Sequence, residues 1–351
     1  MEHPWLDYYD PGTPPRLDYP DVTLDRLLDD AARDYPDRTA ITFVLKYLFE
    51  GRITIGSRMS YRRLREHVDR FASALSSMGV DRGDRVALML PNSPQFVVAF
   101  FAAMRLGAIV VNTNPTYTAP EIRHQLADSG AETIVLLNLF LPRLRQAQDD
   151  LPRLKRVIVT TIADPLPFPA GALVRRAQRR EPDWVEVTPA HDTFRFADLL
   201  SWYSPAPPQA QRCPDDVALF QYTGGTTGVP KAAMLTHRNL VANALQARAW
   251  LPDSRCGAER MMCAIPFFHI YGMTVGMLLS VALAAEMIVV PNPRPIEHVV
   301  QVIARQRATI FPGVPTMYIG VISHPDVAGY DLTSVRACIS GAAPLPMEVQ
   351  E

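Results

Sequence analysis

The chain has 351 residues, 48% of them hydrophobic and 20% charged, with a formal net charge of -1. That length exceeds what one compact core usually serves, so two α/β subdomains are expected. A near-neutral chain also lacks the basic field that draws proteins to nucleic acid, which excludes nucleic acid as a first partner.

In chain order, the lead over 1–50 opens with MEHPWLDYYDPGTPP. It has neither the basic start nor the apolar run of a signal peptide, and a cytoplasmic location is the expectation. The first α/β subdomain is expected over 51–163. Its helix SYRRLREHVDRFASALSSMG offers Ser60 as N-cap, Leu64, Val68, Phe71, Leu75 and Met78 at helical spacing, and Gly79 as stop. RVALML follows as a strand. NSPQFVVAFFAAMRLG is then a helix capped by Ser93, with Pro94 in its first turn and Gly107 at its end, and AIVVN is a strand. TAPEIRHQLADSG carries capping-box spacing in Thr118 and Glu121 and ends at Gly130, ahead of the strands ETIVLL and RVIVTT. Helices between apolar strands imply a parallel, doubly wound sheet, and no G-x-G-x-x-G marks a dinucleotide site.

Proline density over 164–215 predicts a surface connector. Its basic stretch RRAQRR, residues 175–180, reads as a solvated helix face ahead of a lipid contact. Alternation resumes over 216–351 with the strand VALFQYT, a helix HRNLVANALQARAWL capped by Thr236, and the strand MMCAIPF. Tyr271 to Pro291 approaches the roughly 20 residues that cross a bilayer. Glu286 interrupts it, so a buried helix running into a strand is the reading. IEHVVQVIARQRA is a helix, TIFPG and SVRACISG are strands, and PLPMEVQE opens a proline-led helix that reads as cut. Cys213, Cys256, Cys263 and Cys338 stand far apart, with no C-x-x-C pair, and are read as reduced and buried.

The stretch YTGGTTGVPK, residues 222–231, is different in kind. Gly224, Gly225 and Gly228 let backbone N–H groups turn inward around an anion, Thr223, Thr226 and Thr227 add hydroxyls able to ligate magnesium, and Lys231 adds a point charge. Lysine is scarce here: only Lys46, Lys155 and Lys231 occur among 35 basic residues, and arginine is not an equivalent phosphate ligand. Two other readings stand beside a phosphate cradle. One is a glycine-rich hairpin that binds nothing. The other is a P-loop, although Pro230 precedes the lysine and Ala232 follows it; that reading requires Lys231 to open a helix. His269 in PFFHIYG, by itself, reads as a core histidine with a satisfied hydrogen bond ahead of a catalyst.

The loop 222–231 with AAMLTHRNL after it, PFFHIYG at 266–272 and ISGAAPLP at 339–346 resemble, in order and spacing, three motifs of the adenylate-forming enzymes. Within that superfamily the chain is most similar to acyl-CoA synthetases, especially bacterial long-chain fatty acid–CoA ligases. MSYRRLREHVDRFASAL and GDRVALMLPNSPQF are also typical of it. The resemblance implies two doubly wound, mostly parallel α/β subdomains of the N-terminal domain, ending before the C-terminal domain. It implies ATP-dependent conversion of a carboxylic acid to an acyl-adenylate and then an acyl-CoA, with ATP, magnesium and coenzyme A.

By the same resemblance, Thr223, Gly224, Gly225, Thr226, Thr227, Gly228 and Lys231 grip the β- and γ-phosphates, with Thr223 as a magnesium ligand and Lys231 counted as catalytic. Ala232 stands where a glycine is usual. His269 lies beside the reacting carboxylate. Gly341, Ala342, Ala343 and Pro344 pack against adenine, and Gly313, Val314 and Gly341 join His269 around the acyl group. PFFHIYG lacks the aspartate with which amino-acid-activating relatives bind an ammonium, so the acid is not an amino acid. A Tyr-Gly-x-Thr-Glu loop, a ribose-binding aspartate and a mobile domain with an adenylation lysine would follow residue 351, and these residues alone are expected to be weak or inactive. The alternatives are a non-catalytic nucleotide- or acyl-binding protein and an aryl acid–CoA ligase. Peripheral membrane contact and a homodimer are compatible with the resemblance.

Overall fold

The computed structural model describes residues 4–49, 52–223 and 230–350. Its first α-helix covers Asp25–Asp34 in the lead. A hairpin absent from the sequence reading follows, β1 Thr39–Leu48 and β2 Ile53–Ser60. The helix Tyr61–Ser77 begins where Ser60 accepts a hydrogen bond from the N–H of Arg63 at 3.3 Å. After β3 (Arg85–Met89), Ser93 accepts from Phe96 N–H at 3.3 Å and starts the helix Pro94–Leu106, which Gly107 ends at a left-handed φ of 71°. Every residue of that helix except Arg105 is buried. A helix apolar all round belongs inside, and its Phe96, Phe100 and Phe101 join one core with residues of both sheets, among them Val86, Val110, Met261 and Val289.

The strands β4 (Ile109–Asn112), β5 (Thr133–Leu137), β6 (Arg156–Thr160), β7 (Thr193–Arg195), β8 (Val217–Thr223) and β9 (Lys231–Thr236) complete a seven-stranded sheet with β3. Its order is β7-β6-β5-β3-β4-β8-β9, parallel except for the β8–β9 edge. Before β5, the helix Ala119–Ser129 starts at Thr118, whose N–H and hydroxyl donate to the Glu121 carboxylate at 2.8 and 2.7 Å. The strands β10 (Arg260–Cys263), β11 (Glu286–Val289), β12 (Ile310–Gly313) and β13 (Ala337–Ser340) form the second sheet with β1 and β2, in the order β13-β12-β10-β11-β1-β2. Only β2 is antiparallel there.

The two mostly parallel sheets agree with the expected class. Their membership differs from the expected 51–163 and 216–351 split: β8 and β9 close the sheet begun by β3, and the lead hairpin closes the sheet of β10–β13. Regular structure also enters the segment expected to be an irregular connector, with helices Ala170–Gln178 and Phe196–Trp202 and strand β7 paired to β6. Proline there marks turns, but Thr193 and Phe194 find ladder partners in β6, which local composition does not reveal. The cysteines form no disulfide. Only Cys263 is buried, while Cys213 and Cys338 are exposed, which corrects the expectation of burial. Residues Gly272–Ala282 are helical and run into β11, and among the described residues no helix is long and apolar enough to cross a membrane.

One buried histidine ties the lead to the body. His237, 1% exposed, accepts the N–H of Leu24 on Nδ1 at 3.2 Å, and its Nε2 has no partner among the described residues. Burial pushes its pKa below the ordinary 6.5. The unfolded chain then binds the proton more readily than the folded one. The stability His237 contributes is therefore complete above about pH 6.5 and is lost as pH falls below it, by at most about 1.4 kcal/mol per pH unit. Urea unfolding at pH 7.5 and 5.5 is expected to show a smaller difference for His237→Gln than for the parent chain. An equal difference would refute the assignment.

Candidate active site

Parallel sheets leave their loops at the carboxyl ends of the strands, and ligands bind there. The candidate residues emerge at such ends. Thr223 closes β8 and stands opposite Lys231, the first residue of β9. Lys231 therefore opens a strand and not a helix, which removes the P-loop phosphotransferase reading. Both residues are exposed, and the Thr223 hydroxyl donates to the Lys231 carbonyl at 3.3 Å. Gly224, Gly225, Thr226, Thr227 and Gly228 lie outside the described residues.

The turn after β10 carries His269, which is exposed. Its own N–H donates to Pro266 O at 3.1 Å. Gln221, on β8 two residues before Thr223, reaches across and donates from Nε2 to the carbonyl of Phe268 at 3.3 Å. Gln221 is held in turn by Asn112 at the end of β4, whose Nδ2 donates to Gln221 Oε1 at 3.0 Å. The base of the hairpin and the histidine turn are thus joined by a polar bridge.

Tyr271 makes the second junction. Its hydroxyl donates to Ile339 O at 2.6 Å and lies 3.2 Å from Gly313 O, the ends of β13 and β12. Burial pushes the phenol up to about 12, so it stays a donor near neutrality. Gly341 lies against the same ring: a Cβ there would come within 2.6 Å of it, and Gly341 N–H donates to Gly313 O at 3.3 Å. Gly313 itself faces Tyr318, with 2.7 Å available to a Cβ. Gly313 and Gly341 are therefore brought together at Tyr271, two residues after His269 in the chain. Val314 is half-buried beside Gly313, and Ala342, Ala343 and Pro344 are exposed beyond Gly341. Ala342 sits at a φ of 69°, a left-handed conformation costly for a residue with a Cβ.

Sequence reasoning missed Gln221 and Tyr271. A glutamine within the apolar strand VALFQYT was the available signal, because a polar side chain at a buried position needs a partner. It also missed a cavity of about 680 Å³ beside the histidine turn, whose walls include Ile270, Thr274 and Val275, Trp250 just past the helix His237–Ala249, and Tyr9, Arg16 and Leu17 of the lead. For magnesium, the described residues contain no group of three or more His, Cys, Asp or Glu side chains able to hold an ion, and they offer the Thr223 hydroxyl at the hairpin mouth. That fits an ion that takes most of its oxygens from substrate phosphates and water.

The sequence profile of the family described as "AMP-binding enzyme" matches residues 28–351. A long-chain-fatty-acid–CoA ligase of Bacillus subtilis is 36% identical over 100% of this chain and 60% of its own length. One from Escherichia coli O157:H7 is 34% identical over 100% of this chain and 61% of its own. The crystal structure of a long-chain-fatty-acid-CoA ligase from Archaeoglobus fulgidus superposes with a TM-score of 0.77 at 26% identity, over 97% of this chain and 61% of that one. An anthranilate CoA ligase bound to anthranoyl-AMP shares the fold, with a TM-score of 0.78 at 22% identity over 94% of this chain and 57% of that one. The chain spans about 60% of the length of the curated relatives it matches.

Proposed function

Because the chain belongs to the AMP-binding enzyme family over residues 28–351, we propose that it serves the ATP-dependent activation of a fatty acid to an acyl-adenylate and then an acyl-CoA. A free carboxylate is a poor electrophile, since its leaving group would be an oxide. Attack of its oxygen on the α-phosphorus of ATP expels pyrophosphate and gives an acyl-adenylate. The thiol of coenzyme A then adds to the acyl carbonyl, and AMP leaves. The protein's part is to hold polyphosphate charge and keep the reacting groups in line.

In this reading Thr223, Lys231 and the loop 224–228 hold the polyphosphate; Thr223 would also hold a magnesium ion, whose chemistry would be to neutralise phosphate charge. His269 stands by the carboxylate. Gly341, Ala342, Ala343 and Pro344 face adenine, where small side chains let a flat base approach the backbone. The observation that carries the reading is the convergence on one turn of Gln221, Gly313 and Ile339, which unites the hairpin mouth, His269 and the Gly341 segment. A fatty acid as the substrate class is supported by the names of the relatives.

The test is calorimetric titration of the 351-residue chain with MgATP. Lys231→Ala is expected to weaken binding about 10- to 100-fold, the usual size of a lost charge-assisted hydrogen bond. Equal affinity of the two proteins would overturn the phosphate assignment. Because the chain spans 60% of its relatives' length, ATP–pyrophosphate exchange by these residues alone is expected to be weak. Robust exchange would refute that part.

A further inference from the structure

We infer that Asn92 is a positioning residue for His269, folding the turn that carries the histidine against its own buried carboxamide. The inference rests on the reading of His269 given above, and its physical content is separable from it. Asn92 lies between β3 and the helix Pro94–Leu106 and is 3% exposed. Its Nδ2 donates to Cys263 O at 3.0 Å and to Ile265 O at 2.9 Å, and its Oδ1 accepts the N–H of Phe267 at 2.7 Å. Three hydrogen bonds from one side chain thus fall on five consecutive residues, all on backbone atoms. Cys263, Ile265 and Phe267 are buried, so water cannot replace the partner.

The pattern is chemically selective. The turn presents two acceptors and one donor, and a carboxamide presents two donors and an acceptor. Aspartate of the same length keeps the bond from Phe267 N–H but sets a carboxylate against two carbonyls. Leucine of similar volume makes none of the three. Asn92 fixes the amide two residues before His269, while Gln221 holds the carbonyl one residue before it. Phe96, in the first turn of the helix after Asn92, packs its ring 5.7 Å from that of Phe267. The histidine backbone is therefore gripped from the β3 and β8 ends of the opposite sheet, and the carboxamide sets the path of the chain into it.

The readout is the imidazole Cε1–H signal of His269 in the ¹H–¹³C spectrum of histidine-labelled chain, assigned by its loss in His269→Ala. Asn92→Leu is expected to shift or split that signal and to weaken binding of a dodecanoyl-sulfamoyl adenosine probe about tenfold or more. Asn92→Asp, the milder change should the leucine variant fail to fold, is expected to shift it as well at pH 7.5. The control is Asn138→Leu. Asn138 is also buried, 1% exposed, but donates to Val185 O, so the signal should stay in place. An unmoved His269 signal in the folded Asn92 variants, or an equal movement in Asn138→Leu, would overturn the inference whatever His269 does. Unchanged probe affinity in His269→Ala would instead overturn the role of the histidine and leave the positioning test intact.

Discussion

A methyl group at position 272 is expected to dismantle the histidine turn. In Gly272→Ala the new Cβ would stand 2.3 Å from Pro266 O and 2.8 Å from Ile265 O, both backbone atoms. Neither can yield alone, because Ile265 O accepts from Asn92 and Pro266 O accepts from His269 N–H. Helix and turn must separate, with a cost of about 3 kcal/mol, the upper end for overpacking. A lower melting temperature and at least about a tenfold weaker hold on the adenosine probe are the expected results. Gly276→Ala is the comparison. Its Cβ would meet the Phe267 ring edge at 3.2 Å and Cys263 Sγ at an ordinary 3.7 Å, and about 1 kcal/mol is expected. Equal effects of the two substitutions on probe binding would show that the close approach at Gly272 does not shape the site.

Glu259→Ala is expected to destabilise the chain by about 3 kcal/mol while leaving nucleotide affinity unchanged. Glu259 is 2% exposed and sits before β10, at the amino ends of the strands and away from the candidate site. Burial pushes its carboxyl up, but the Arg255 N–H, the Thr309 hydroxyl and the Arg336 guanidinium outweigh that and hold it below the usual glutamate value. The first two bonds measure 2.8 and 2.7 Å, and Arg336 pairs through two nitrogens. Alanine takes the carboxylate from all three partners, leaving Thr309 its bond to Arg260 O and Arg336 its bond to Asp253 O. The depressed pKa also sets a pH window: this stability is full above the unfolded value near 4.5 and is lost as pH falls through the folded value. Urea unfolding at pH 7 measures the loss, and a difference below about 1 kcal/mol would place Glu259 among weakly coupled surface pairs.

The readable parts of the site were residue identities within short motifs. Thr223, Lys231, His269, Gly313 and Gly341 were nominated from the chain, and the structure brings Gly313 and Gly341 together at Tyr271, two residues after His269. The loop glycines of 224–228 remain a sequence-based assignment. Asn92 and Gln221 were not singled out, because each acts on the backbone of a distant segment. Asn92 and Ile265 are 173 positions apart, and Gln221 and Phe268 are 47 apart. The wall of the cavity is similar, since Tyr9 and Leu17 meet Trp250 there only after the lead has packed down.

By itself the sequence determined the alternation of helix and strand, the starts at Ser60, Ser93 and Thr236, and the left-handed stop at Gly107. Those features follow from periodicity and from caps that reach three or four residues along the chain, so a local reading contains all of their physics. Tertiary structure decided which strands share a sheet, that Lys231 begins an edge strand and not a helix, and which side chains hold the histidine turn. Those outcomes depend on buried donors and acceptors finding partners across the two sheets, and any of several distant partners would satisfy the same local pattern.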